Sequence, residues 1–98
     1  MDTVTKQDSE KFPVAVEYYG KLPPGTSISS AVATAIKISD SSDATSTVIH
    51  GSAAVFGTQV RVIVKAGANN QSYKVTVVAT LSDGSTLEDD FTLTITNV

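Results

Sequence analysis

His50 is the single imidazole in the 98-residue chain, and there is no cysteine. A serine nucleophile needs a base within hydrogen-bond reach and a carboxylate that orients that base. His50 stands just before Gly51, with no serine or aspartate at a triad spacing. Zinc usually draws three or four ligands from His, Cys and carboxylates, so one histidine makes a poor start. The remaining candidates are two acidic runs, Asp40-Ser41-Ser42-Asp43 and Glu88-Asp89-Asp90. Calcium takes oxygens from closely spaced carboxylates and carbonyls, and either run could contribute to such a site. Neither has the alternating ligands and glycine of an EF-hand loop. The simpler reading makes Asp40 and Asp43 the acceptors of Asx turns, and puts Glu88 and Asp90 on the wet face of a strand. A glycosidase pair would need a cleft between its two acids, which so short a chain rarely encloses. The residues therefore point to no enzyme, metal or cofactor.

The aromatics are more informative. Phe56, Tyr73 and Phe91 fall at positions expected to face a core, with the Tyr73 hydroxyl bonded to nearby backbone. Tyr18 and Tyr19 are adjacent, so on a strand they point to opposite faces and one of them is exposed. Tyr19, followed by Lys21, Leu22, Pro23 and Pro24, is the candidate protein interface; the rival reading is simple covering of a sheet edge.

The elements that must position these residues are strands. Thirteen Val, six Ile and thirteen Thr make 32 of 98 residues β-branched, against four Leu and one Met, a composition that crowds helices and suits pleated sheets. Residues 1–11 hold Val4 as their one apolar residue after Met1 and are expected to form a flexible arm before a single domain over residues 12–98. Phe12 to Tyr19 alternates, with Pro13 suited to an edge strand. From Thr26 to Ile38 the even positions Ile28, Val32, Ile36 and Ile38 form an apolar face, for which strand is preferred over helix. Short strands are expected at Ala44 to Ile49 and at Ser52 to Phe56. Val60, Val62 and Val64 then alternate with Arg61 and Lys65, and Tyr73, Val75, Val77, Ala79 and Leu81 with Lys74, Thr76 and Thr80, so the loop from Gly67 to Ser72 is expected to close a hairpin. Asp83-Gly84 marks a tight turn into the last strand, which carries Leu87, Phe91, Leu93 and Ile95. Seven short strands with turns between them predict an all-β, antiparallel immunoglobulin-like β-sandwich.

A net charge of −3 has the wrong sign for a phosphate backbone. No apolar run reaches the length of a membrane span. Neither nucleic acid nor membrane is an expected partner.

The words Gly57-Thr58-Gln59-Val60-Arg61-Val62 and Tyr73-Lys74-Val75-Thr76, with Ser82-Asp83-Gly84-Ser85 and Leu87-Glu88, resemble the small immunoglobulin-like structural proteins of tailed bacteriophages and prophages. The order of elements is similar from about Phe12 to Ile95, and the closing hairpin is similar in residues. The resemblance implies a non-enzymatic virion protein, a head-decoration, neck or tail-adaptor module, made in the bacterial cytoplasm and binding other virion proteins or further copies of itself. A single domain opening at Met1, with no signal-type segment, is expected on that reading. The alternative is a surface adhesion or carbohydrate-binding module, which would use the loops at Pro23-Pro24-Gly25, Ser39 to Asp43 and Ala68 to Ser72.

Overall fold

A computed structural model describes residues 2–97 of the chain. It contains seven strands, β1 (Asp2–Lys6), β2 (Phe12–Glu17), β3 (Ile28–Lys37), β4 (Ile49–Phe56), β5 (Gln59–Val64), β6 (Ser72–Leu81) and β7 (Thr86–Ile95), and one helical turn, α1 (Thr45–Val48). They form a four-stranded sheet in the order β1-β7-β6-β3 and a three-stranded sheet in the order β2-β5-β4. Buried residues of both sheets join in one core: Val60, Val62 and Val64 of β5, Val75, Val77 and Ala79 of β6, and Leu93 and Ile95 of β7 are fully excluded from solvent. These are the alternating positions of the C-terminal half, as expected. The Tyr73 hydroxyl accepts the Ala68 amide at 3.0 Å, and Pro13 does lie on an edge strand.

Several expectations are corrected. Asp2–Lys6 is not an arm but an edge strand, paired in parallel with β7 from Asp2↔Phe91 to Lys6↔Ile95, so the chain is not wholly antiparallel; Met1 lies outside the described residues. What holds this polar strand is Lys6, only 2% exposed. Its Nζ donates to the carbonyls of Gln7 at 2.5 Å and Ala66 at 2.6 Å. Burial lowers the Lys6 pKa, with Glu10 and Asp8 pulling the other way. A charged group removed from water requires such partners, and here they tie the first strand to the loop after β5.

That loop does not close a hairpin, because β5 and β6 belong to different sheets. Its backbone instead pairs with the end of β7, Asn70 donating to the Ile95 carbonyl and Ile95 to that of Gln71. Gly67, at φ +94°, lies so close to Ile95 that a Cβ there would sit 2.8 Å from Cγ1. The expected strand over Ala44 to Ile49 is the helical turn α1 followed by a single longer β4. Asp43 starts it: its Oδ1 accepts the Thr45 hydroxyl at 2.7 Å and the Thr45 amide at 3.3 Å, a local alternative to strand pairing. Asp40 accepts the Ser42 amide and hydroxyl in the same way. At the last hairpin, Gly84 donates to Leu81, so Ser82 and Asp83 are the central turn residues and Gly84, at φ +90°, follows them. This is a three-residue loop, one longer than an Asp-Gly two-residue turn.

The face of β3 is inverted. A bulge between Ile28 and Ser30 shifts its register against β6, and a slip of one residue exchanges the two faces of everything beyond it. Ala35 is therefore buried and Ala31 and Ala33 pack on the core, while Val32 is 62%, Ile36 39% and Ile38 49% exposed. A second irregularity in β4, between His50 and Ala54, spans Gly51 at φ +70°. It adds two residues, an even number that preserves the alternation, so Phe56 points outward like His50 and Ala54 and is 50% exposed, contrary to its expected core role.

Tyr18 is fully buried and its hydroxyl donates to the Val77 carbonyl at 3.3 Å, joining the two sheets. Burial, with Asp89 and Glu88 nearby, pushes its pKa up to about 12. An unfolded tyrosine ionises near pH ~10, so between those values the folded state holds the extra proton. Stability present below the unfolded pKa is then lost as pH rises from about 10 to about 12. The thermal midpoint of the native chain should fall more steeply over that window than that of Tyr18→Phe, measured by circular dichroism; parallel curves would count against a buried Tyr18. The Lys6 titration has the opposite sign and is common to both proteins.

Deleting residues 1–8 should lower the midpoint by roughly 10 °C, because losing a charge-assisted pair of hydrogen bonds and a strand costs on the order of 2 kcal/mol or more and ~1 kcal/mol moves a domain of this size by about 4–8 °C. An unchanged midpoint would make β1 a detachable segment.

Candidate interaction surface

The residues singled out around Tyr19 lie on the connection from β2 to β3, the chain's passage from one sheet to the other. Two turns shape it. Lys21 donates to the Tyr18 carbonyl at 2.9 Å with Gly20 at φ +87°, and Thr26 donates to the Pro23 carbonyl at 3.1 Å with Gly25 at φ +79°. Glycine in the left-handed third position, and Pro24 in the second, are the sequence requirements of type II turns. Tyr19 and Pro24 thus occupy matching corner positions. Tyr19 is 80% exposed, Pro23 and Pro24 are exposed, and Leu22 is half-buried against the core.

The base of this segment is braced. Glu17 Oε1 accepts the Tyr19 amide at 2.8 Å and the Thr58 hydroxyl at 2.6 Å; these hydrogen bonds to the charged form, Thr58 first, lower its pKa. The β2–β3 connection is thereby linked to the β4–β5 turn. Lys21 reaches across to the other sheet, with Nζ 3.4 Å from Asp89 Oδ2 and 5.7 Å from the centroid of the Tyr18 ring. Both partners remain substantially exposed, so the pair adds little stability. It does meet the need of Asp89, which stands opposite Val77 in the ladder and therefore on the inward side of β7. Three consecutive acids on a strand force the middle one inward when the outer two face water. The Glu88-Asp89-Asp90 run carried that signal, and Lys21 as its partner was not legible. Asp90, on the outer side, pairs with Lys74 at 3.3 Å.

Below this pair a cleft of about 420 Å³ opens between β2 and β7, lined by Val4, Val14, Val16 and Phe91 with Lys21 and Asp89 at its rim. His50 is exposed on β4, on the outer side of the three-stranded sheet. Among the described residues no three or more His, Cys, Asp or Glu side chains come together as a metal site.

The outer faces of the two sheets differ in kind. That of the four-stranded sheet carries Thr3, Thr5, Thr34, Thr76 and Thr94 in cross-strand register with one another or with polar neighbours, apart from the exposed stripe of Val32 and Ile36 on β3, with Val78 of β6 opposite Val32. That of the three-stranded sheet is built from rows Pro13–Ile63–His50 and Ala15–Arg61–Ala54, with Phe56 beside Gln59. Ile63 is 36% exposed, and the Arg61 guanidinium carbon lies 4.2 Å from the Phe56 ring centroid. Phe56 and Arg61 were not among the expected interface residues.

Searches of curated proteins and of solved structures returned no match. A family model, that of the podophage GP4 fiber-tail adaptor protein gp77, matches residues 6–94, a span that begins at Lys6 and takes in β2 to β6 and nearly all of β7. With the match extending over nearly the whole chain, the protein belongs to the gp77 family of podophage fiber-tail adaptors.

Proposed function

We propose that the chain is a non-enzymatic virion protein that joins the tail fiber to the tail through protein–protein contacts, on an immunoglobulin-like sandwich. The observation that carries the functional reading is the family match over residues 6–94. The fold reading is supported by strand order. In constant-type immunoglobulin domains the second, fifth and fourth strands share one sheet and the third, sixth and seventh the other. Here β2-β5-β4 and β7-β6-β3 are grouped in that way, with β1 joined to the free side of β7. Tyr73, near the start of the sixth strand, accepts the amide of Ala68 five residues upstream, the corner device of such sandwiches.

An adaptor has to hold its contact residues rigidly so that little ordering entropy is lost on assembly. The Tyr19-to-Pro24 segment has this property. Its turns are preset by Gly20, Pro24 and Gly25, its first residue is clamped by Glu17, and it presents an exposed aromatic side chain of the kind enriched at binding hot spots. It is proposed as one contact with the neighbouring virion protein, made by Tyr19, Lys21, Leu22, Pro23 and Pro24.

Particles assembled without this chain should carry tails without fibers, and adding the purified chain and fibers should restore them, scored by electron microscopy. Fibers attached in its absence would overturn the adaptor role. Replacing Tyr19 with Ala should weaken binding to the fiberless particles by about tenfold at an unchanged melting temperature, and equal binding would remove the segment from the interface.

A further inference from the structure

We infer that the outer face of the three-stranded sheet is a second docking surface, and that its occupant is a virion protein presenting a carboxylate within an apolar patch. The inference rests on the adaptor reading and adds to it the chemistry of one partner. A sheet face turned to water ordinarily alternates polar residues against the apolar inner ones, as the threonine-rich face of the other sheet does. On this face β2 presents Pro13 and Ala15, β5 presents Ile63 and β4 presents Ala54 and Phe56, all exposed. Apolar side chains on neighbouring strands make a continuous patch, the sort of surface that marks a contact site.

The charge at its centre selects the partner. Arg61 is flanked in the ladder by Ala15 on one side and Ala54 on the other, two side chains too short to reach its guanidinium. That group lies against the Phe56 ring at 4.2 Å. The ion pairs among the described residues are Lys21–Asp89 and Lys74–Asp90, so Arg61 has no carboxylate. Glu17, the acid at the corner of the face, is engaged by Thr58 and Tyr19. An arginine stacked on an aromatic ring keeps its edge N–H groups available and its plane fixed, the geometry that accepts a carboxylate through two parallel hydrogen bonds. A surround of exposed alanine, proline and isoleucine would exclude water from that pair once covered. A second copy of the chain is the poorer occupant. Two such faces meeting about a twofold axis through their centres would bring Arg61 against Arg61, and like charges brought together in an interface oppose binding. The exposed stripe on β3, extended onto β6 by Val78 opposite Val32, lacks this selectivity, since it holds no charge at its centre and is bordered by threonines and the Lys74–Asp90 pair.

The test uses the full chain and particles assembled without it. Arg61→Glu should reduce binding to those particles at least tenfold, Arg61→Lys should fall between it and the native chain, and Phe56→Ser should reduce binding by a similar factor to Arg61→Glu. Both side chains lie outside the core, so the variants should melt within a few degrees of the native chain. Should Arg61→Glu fail to fold, Ala15→Glu, which sets a carboxylate opposite Arg61 in the same row, replaces it with the same expectation. Native binding retained by all of these variants would overturn the docking surface while leaving the adaptor function standing. A native chain that does not bind the particles at all would remove both. Light scattering that shows a native dimer dissociated by Arg61→Glu would overturn the choice of partner in favour of a second copy.

Discussion

A residue on a β-strand has two directions open to it, and every surface of this protein depends on which of the two each side chain takes. In an uninterrupted strand that choice is made once, for the whole strand. In this chain it is made twice along β3, where one extra residue stands on its side of the ladder with β6, and once along β4, whose irregularity adds two residues and so keeps every side chain on its original face. The slip at Ser29 hands the core to Ala31, Ala33 and Ala35 and turns Val32 and Ile36 outward. The irregularity after His50 adds two residues, four from His50 to Ala54 against two from Ile63 to Arg61, so His50, Ala54 and Phe56 all stay outward, Phe56 beside Arg61. Both outcomes follow from the count of added backbone units, odd in β3 and even in β4, and not from hydrophobicity. The unbroken strands β5, β6 and β7 supply the reference frame for these irregularities, and the side chains of β5 and β6 are buried strictly by turns.

This explains what could and could not be read from the residues. The C-terminal half was legible since Val60 to Val64 and Tyr73 to Leu81 alternate without interruption, and their burial follows directly. The all-β class and the strand number follow from β-branched content and turn spacing, though one of the seven strands was misplaced. Where a bulge intervened, the apolar pattern remained visible and its direction did not. The first strand was illegible for another reason. Five residues with one half-buried valine have no periodicity worth reading, and they become a strand through two remote partners, the ladder of β7 and the carbonyl of Ala66. The loop after β5 looked like a hairpin because Gly, Asn and Ser serve equally in a tight reversal and in a crossing between sheets; its Ile95 contacts decide between them.

Of the proposed interaction surface, the half that depends on local chemistry was readable. Two adjacent tyrosines must diverge, and Pro-Pro-Gly must turn, whatever the rest of the chain does. The half that depends on tertiary pairing, the Phe56–Arg61 pair, was hidden behind the expectation that a phenylalanine ending a short apolar strand is buried. The Lys21–Asp89 pair was hidden because the two residues are 68 positions apart in the chain, although three acids in succession required some cation to reach the inner one.

The parallel pairing of the first and last strands has a mechanical meaning. Because β1 and β7 run the same way, the start of β1 and the end of β7 lie at opposite ends of their shared ladder, Asp2 beside Phe91 and Lys6 beside Ile95. A pull applied between those two points stretches the ladder along its length and loads its hydrogen bonds together, whereas a hairpin pulled at its open end parts one bond at a time. Lys6, anchored at the far end of β1 to the loop beyond β5, resists the same displacement. A ladder built this way resists a pull between its two ends as a unit, before any single bond has to part alone.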